Sequence, residues 1–394
     1  MSNLNHYVRQ LRPRTESYTP HVDRIQDLLS EGVIGKYNKG DVAEAILGAA
    51  VAAKFIIRPV GDISKKDVED VLKKVLASNP VTVQVADYKK TTKSANITDN
   101  IKFKVGIPKP AMDFVSDSSN WSSISDLFSS ALSYVNSDKR LNRQALQFSQ
   151  NDKNNEIFIN SDGTGDQTGT KADIKLTFDG KKSRNQISLK VKGGNQFAQI
   201  GGIPFAKQEK LWKDGLGLNV SILKSKYEEE LEKFDPTIVF TDRKDKILEE
   251  QRVILKNAAR AVYAAALTQM NAKFGSKDVE FVKKLIEFIK TGVAGTEYKN
   301  IELVKLEKGN FKTLRFNAKL ESLISDMNLV AVMKKDKDPE VEIKDSESGK
   351  PLIKIRFKVE GQSRKSKSGT TYTLYPRNLI EMPTNSLLYG GAKK

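Results

Sequence analysis

Ala172-Asp173-Ile174-Lys175-Leu176-Thr177-Phe178, then Asp179-Gly180, then Gln186-Ile187-Ser188-Leu189-Lys190-Val191-Lys192, is the stretch of sequence that decides the fold. Polar and apolar residues alternate on both sides of the Asp-Gly pair, which is the period of a strand buried on one face. An Asp-Gly pair between two such runs signals a hairpin, because glycine accepts the positive φ of a tight turn without steric cost. The spacing puts Asp173, Lys175 and Thr177 on one face of the first strand and Ser188, Lys190 and Lys192 on one face of the second. An acid and a lysine can therefore meet across the pair.

Upstream, residues 41–57 read as an alanine-rich helix whose small side chains suit close packing, buried on most sides. Asp41-Val42-Ala43-Glu44 fits a capping box, with Asp41 as N-cap and Glu44 at the third helical position. Glu44 is also the only charge between Asp41 and Lys54, so it has no partner three or four residues on and needs one from elsewhere.

The remaining elements follow from period and punctuation. A polar lead carries a short helix at 22–29; a helix at 65–77 stops before Asn79-Pro80; strands are expected at 81–86, 101–105 and 156–160. Residues 116–125, rich in Ser, Asp and Asn, read as a loop, and 124–135, 227–234, 244–274 and 277–290 have helical spacing. Strands at 301–306, 312–316, 340–343, 352–359 and 371–375 close the chain, with a turn at 346–350. The expected class is mixed α/β, a central mixed sheet flanked by helices plus a C-terminal β-rich basic region. The expected division is a lead over 1–34, a core over 35–275 with an insertion near 61–120, and an α+β basic region over 276–394.

The chain has 394 residues, enough for two or three domains. It contains no cysteine, which excludes disulfides, thiolate metal sites and cysteine nucleophiles. His6 and His21 lie in the polar lead, so histidine zinc sites and Ser-His-Asp triads have no material, and catalysis falls to carboxylate and lysine. The N-terminus has no apolar signal region, and 42–60, the most apolar run, is broken by Glu44, Lys54 and Arg58, so the reading is an intracellular, cytoplasmic protein away from membranes.

A formal net charge of +17 points to a polyanionic partner. The excess is clustered: between 349 and 394 stand Lys350, Lys354, Arg356, Lys358, Arg364, Lys365, Lys367, Arg377, Lys393 and Lys394, opposed by Glu360 and Glu381 alone. Lys354, Arg356 and Lys358 share one strand face, with Arg364, Lys365 and Lys367 in a following loop. Such a face suits phosphate contacts, or equally a solvated edge strand guarded by lysines. The glycine-rich run 161–169 is neither a Walker loop, since Lys171 lies outside that frame, nor a calcium loop, since Thr164 and Gln167 stand where a ligand and a glycine are required. It reads as a connection before the strand, with Asp162 or Asp166 as auxiliary acids.

Gly169-Thr170-Lys171-Ala172-Asp173-Ile174, followed by Ser188-Leu189-Lys190, resembles the PD-(D/E)xK nuclease superfamily, the restriction-endonuclease-like fold. That family carries an Asp and an acid-x-Lys pair on adjacent strands, often with a Glu on a preceding helix and in several branches a Gln after the lysine. The resemblance implies Asp173 and Glu44 as ligands of Mg²⁺ or Mn²⁺, Lys190 as the catalytic lysine, and Gln196 or Gln199 as support. Ala172 replaces the signature proline, and Ser188 stands in place of the second acid. The leading expectation is a Mg²⁺-dependent endonuclease acting on double-stranded DNA, admitting a homodimer, with Lys175, Lys192 and the C-terminal basic strands holding the duplex. The alternatives are a non-catalytic nucleic-acid-binding or structural protein, in which the hairpin is ordinary sheet, and a protein-assembly component with a basic exterior.

Overall fold

Asn38 starts the helix on which the first unit is built: its side chain accepts a hydrogen bond from the Gly40 amide at 2.7 Å, satisfying one of the donors that every helix start leaves open. The computed structural model describes residues 37–57, 61–85, 88–150, 156–162, 172–179, 181–191, 196–241, 245–291, 301–314, 318–334, 338–366, 369–383 and 385–391. Helix α1, Lys39–Ile57, therefore begins before Asp41, which lies in its first turn instead of capping it. The expected helix at 22–29 lies outside the described residues.

Contacts divide the chain into two units, one of Tyr18–Gly194, Glu297–Arg315 and Tyr389–Lys394, the other of Met1–Ser17, Asn195–Thr296 and Phe316–Leu388. The first holds a nine-stranded sheet in the order β1-β2-β3-β4-β5-β6-β8-β9-β14. Its strands, numbered along the chain, are β1 Val81–Val85, β2 Tyr88–Thr98, β3 Ile101–Pro108, β4 Ile157–Ser161, β5 Ile174–Phe178, β6 Lys181–Val191, β8 Ile301–Glu307, β9 Asn310–Leu314 and β14 Gly390–Gly391. The pairs β3/β4 and β6/β8 are parallel and the rest antiparallel, so the sheet is mixed, as expected. The helices are α1, α2 Lys65–Leu76, α3 Lys109–Ser116, α4 Ser125–Ser137 and α5 Lys139–Gln150.

Alternation decides which face the helices cover. Phe103, Val105, Ile157, Ile159, Ile174, Leu176, Ile187, Leu189, Val304 and Leu306 join the buried residues of the helices in one core. The residues between them in the strands point away from that core. α1 is buried almost throughout and packs on β3, β4 and β6 as well as on the other four helices. Close approach is possible because of Gly48: a Cβ there would meet Phe103 Cε2 and Ser161 Cβ, each at 2.9 Å.

Residues 61–120 are part of this core and not an insertion, since β3 is hydrogen-bonded to β4 and its apolar face lies under α1. The expected loop at 116–125 contains a 3-10 helix, Ser118–Ile124. Ser123 donates back to the Asn120 carbonyl at 2.7 Å, and the buried Trp121 indole donates to the Val115 carbonyl at 2.9 Å, so the serines spend their hydrogen bonds locally while the ring fills the core. The Asp-Gly hairpin is present: Phe178 pairs with Lys181, and Asp179 takes a φ of 50°.

The second unit holds an antiparallel sheet in the order β10-β11-β12-β13-β7, from β7 Gln196–Gly201, β10 Leu329–Lys334, β11 Glu340–Asp345, β12 Pro351–Ser366 and β13 Gly369–Glu381. Its helices are α6 Phe205–Glu209, α7 Lys224–Leu231, α8 Lys246–Gly275, α9 Val279–Thr291 and α10 Ala318–Ser325, of which α8 packs on β10 to β13. The boundary thus falls at 194/195 and not at 275/276, because β7 pairs with β13 while β8 and β9 return to the first sheet. No helix among the described residues is long and apolar enough to cross a membrane.

On the face of this sheet opposite to α8, the Arg377 guanidinium on β13 is ion-paired with Glu360 on β12, their side chains 2% and 1% exposed, and donates to Gln199 on β7 at 2.9 Å. Burial lowers Arg377 to about 9, which leaves it charged at neutral pH. A buried pair adds little over an apolar pair of the same volume, but losing one partner strands the other charge. Glu360→Ala is accordingly expected to cost about 3–5 kcal/mol, and Glu360→Leu with Arg377→Met to restore most of it, as measured by urea denaturation. In the first unit, Gly48→Ala is expected to lose about 1 kcal/mol net in the same measurement, overpacking against Phe103 and Ser161 outweighing the gain in helix propensity.

Candidate active site

Asp173 sits one residue before β5, where the ladder with β6 runs out. Its amide donates to the Ile187 carbonyl at 2.8 Å. Its carboxylate stays in the plane of the sheet: Oδ2 accepts from the Leu189 amide at 2.5 Å and from the Ser188 hydroxyl at 3.4 Å. A charged acceptor thus replaces the backbone carbonyl that the next ladder rung would supply. Asp173 is fastened to the residues on either side of Leu189's peptide, and Lys190 is the next residue along β6.

Ser188 and Lys190 share the face turned away from the helices. Ser188 is buried; Lys190 is half-buried and forms no ion pair with another described residue. Across the parallel pair its neighbour is Lys305, fully buried, ion-paired with Glu307 and lying over the Tyr389 ring at 6.0 Å. Lys175, two residues past Asp173, is half-buried on the same face.

Glu44 is 5% exposed and lies in the second turn of α1. Its main-chain carbonyl accepts a hydrogen bond from Ser161 at 2.7 Å, and Ser161 is the register partner of Ile174, the neighbour of Asp173. The turn of α1 bearing Glu44 is therefore docked at the end of β4 next to the start of β5. Asp41, one turn earlier and 2% exposed, is a second buried acid that sequence reasoning treated only as a cap; its spacing of three from Glu44 was the available signal.

The donor set bears on the metal that the resemblance implies. Among the described residues no three acids or histidines form a ligand group. Asp173 Oδ1 takes part in neither of the two bonds made by its carboxylate. Magnesium retains several waters and needs only one or two protein carboxylates beside substrate phosphates, so the Asp173 carboxylate suits that ion, whereas the described residues fall short of a calcium or zinc cage. Asp162 is taken by Lys90 and by Lys104, the latter at 3.1 Å, and so is a charge-neutralised group and not an auxiliary acid. Asp166 lies outside the described residues, as do Lys192 and Lys367.

Gln196 and Gln199 belong to the other unit, on β7. The Gln196 amide donates to Gln199 Oε1 at 2.9 Å, the same oxygen that accepts from Arg377. The C-terminal basic strand is ion-paired: Lys354 meets Glu342 at 3.1 Å and Glu340 at 3.4 Å, Arg356 meets Glu381 at 2.5 Å, and Lys358 meets Glu360. Arg364 and Lys365 lie within β12, which runs to Ser366, and not in a loop.

These pairs remove most of the phosphate attraction expected of that face. Lys354→Gln with Arg356→Gln is expected to leave the salt dependence of DNA binding unchanged, whereas two true phosphate contacts would reduce the slope of log K against log salt by about 1.8. In comparison with known proteins, no family model, curated protein or solved structure matches the chain.

Proposed function

We propose that the chain is a Mg²⁺-dependent endonuclease with a restriction-endonuclease-like core, hydrolysing DNA phosphodiesters at Asp173 and Lys190. The observation that carries this reading is the hydrogen bond from the Leu189 amide to the Asp173 carboxylate, which fixes one acid against the Ser188-Leu189-Lys190 segment of the adjacent strand. A magnesium ion in such a site supplies a Lewis acid and an acidified water beside the scissile phosphate. The chain's own part is to hold and to neutralise. Asp173 would contribute the carboxylate beside Lys190 and Glu44 a second one from the helix side of the sheet, the Leu189 amide keeps Asp173 from rotating away, and the Lys190 ammonium balances charge that develops on the phosphate in the transition state. Lys175, on the same face as Lys190, suits a contact to a neighbouring phosphate.

A second reading, nucleic-acid binding without hydrolysis, is favoured by Ser188 standing in place of an acid and by the shortage of carboxylates at the site. Supercoiled plasmid separates the two. The expected result is nicking and linearisation with Mg²⁺, none with EDTA, and a loss of roughly 100-fold or more in rate for Asp173→Ala and for Lys190→Ala. Plasmid that stays intact yet shifts on a gel equally with the native chain and both variants would establish the second reading.

A further inference from the structure

On the face of the first sheet turned away from the helices, six side chains of β3, β4 and β5 form two rows. Register places Lys102, Phe158 and Thr177 side by side in one row and Lys104, Asn160 and Lys175 in the next. Neighbours within a row are about 4.8 Å apart, the spacing of adjacent strands. Lys102 is exposed and the other five are half-buried. Phe158 is thus an aromatic ring in the middle of an outward-facing, polar sheet surface, with the Lys102 ammonium 6.0 Å from its centroid. No acid belongs to the two rows. Two acids flank them, Asp173, two residues before Lys175, and Asp162, shared by Lys90 and Lys104, so four lysines stand against two carboxylates.

We infer that this surface binds single-stranded nucleic acid, one base stacking on Phe158 and the flanking phosphates meeting Lys102, Lys104 and Lys175. The physical ground is that a stacked ring needs a free base face. In a duplex both faces of each base are covered by neighbouring pairs, whereas an unpaired base offers its π-surface to an aromatic side chain. Lysines around the ring give the backbone affinity without reading sequence. The inference shares with the proposed function the premise that the partner is a nucleic acid and the phosphate contact of Lys175; Phe158 and Lys102 belong to it alone, and it holds whether or not Asp173 supports cutting.

The test is fluorescence anisotropy on the full chain, with a labelled oligothymidylate of about 12 nucleotides and a duplex of the same length. The single strand is expected to bind about tenfold tighter or better than the duplex. Phe158→Leu should lose about tenfold for the single strand and little for the duplex, Phe158→Tyr should retain single-strand binding, and Lys102→Gln with Lys175→Gln should lower the salt slope by about 1.4. Thermal melts of each variant verify that the sheet is intact, and if Phe158→Leu melts early, the Tyr and Lys variants decide. A duplex preference, or single-strand affinity indifferent to Leu at 158 in a folded protein, would overturn the inference. The readouts separate the two ideas: plasmid cutting by Asp173→Ala reads the nuclease site, whereas oligothymidylate affinity is read on the native chain and the Phe158 variants, so failure of the nuclease reading does not register here.

Discussion

The docking of α1 onto β3 and β4 is the contact from which the first unit is organised. The helix can come close only because Ala and Gly line it, and Gly48 gives up its side chain where Phe103 and Ser161 already occupy the space. Close approach then lets the Ser161 hydroxyl reach the Glu44 carbonyl, which sets the height of the helix along the strand. Two acids of the first turns, Asp41 and Glu44, are carried into the interior by the same packing. Burying carboxylates is costly unless something compensates, so a helix this apolar would be expected to carry alanines at those positions if packing were all that mattered. The packing of α1 thus sets where both acids lie.

The parts of this arrangement visible in the sequence were those governed by short-range rules. The Asp179-Gly180 turn, the alternation on β5 and β6 and the apolar α1 each depend on neighbours within a few residues, and each is present. β2 was missed because Tyr88–Thr98 is polar and rich in lysine; it is a strand because β1 and β3 satisfy its backbone on both edges, with β-branched threonines that suit the pleat. β7 was missed for a related reason: its partner, β13, lies far away in sequence, and glycines surround it.

The site was legible to a different degree. Asp173, Ser188 and Lys190 could be placed on adjacent strands from period alone, yet the in-plane turn of the Asp173 carboxylate toward the Leu189 amide depends on where the ladder ends. Gln196 and Gln199 follow the hairpin in sequence, but a unit boundary falls between Gly194 and Asn195 and both glutamines belong to the second sheet. The partners of the basic C-terminal strand were not visible in the sequence either. Lys354 and Arg356 look unopposed along the chain, but strand pairing brings Glu340 and Glu342 from β11 and Glu381 from β13 beside them. Charge counted in one dimension is not charge exposed in three.

The chain alternates between the two units. The chain leaves the first sheet after β6, builds β7 and α6 to α9, returns for β8 and β9, and leaves again to complete the second sheet before ending at β14. On the ribosome, the nine-stranded sheet therefore waits for residues past 300 before β6 gains its parallel neighbour, and the five-stranded sheet waits for β13 before β7 has any partner. The last strand of the first sheet, β14, follows every strand of the second, and no single cut of the polypeptide releases a whole unit.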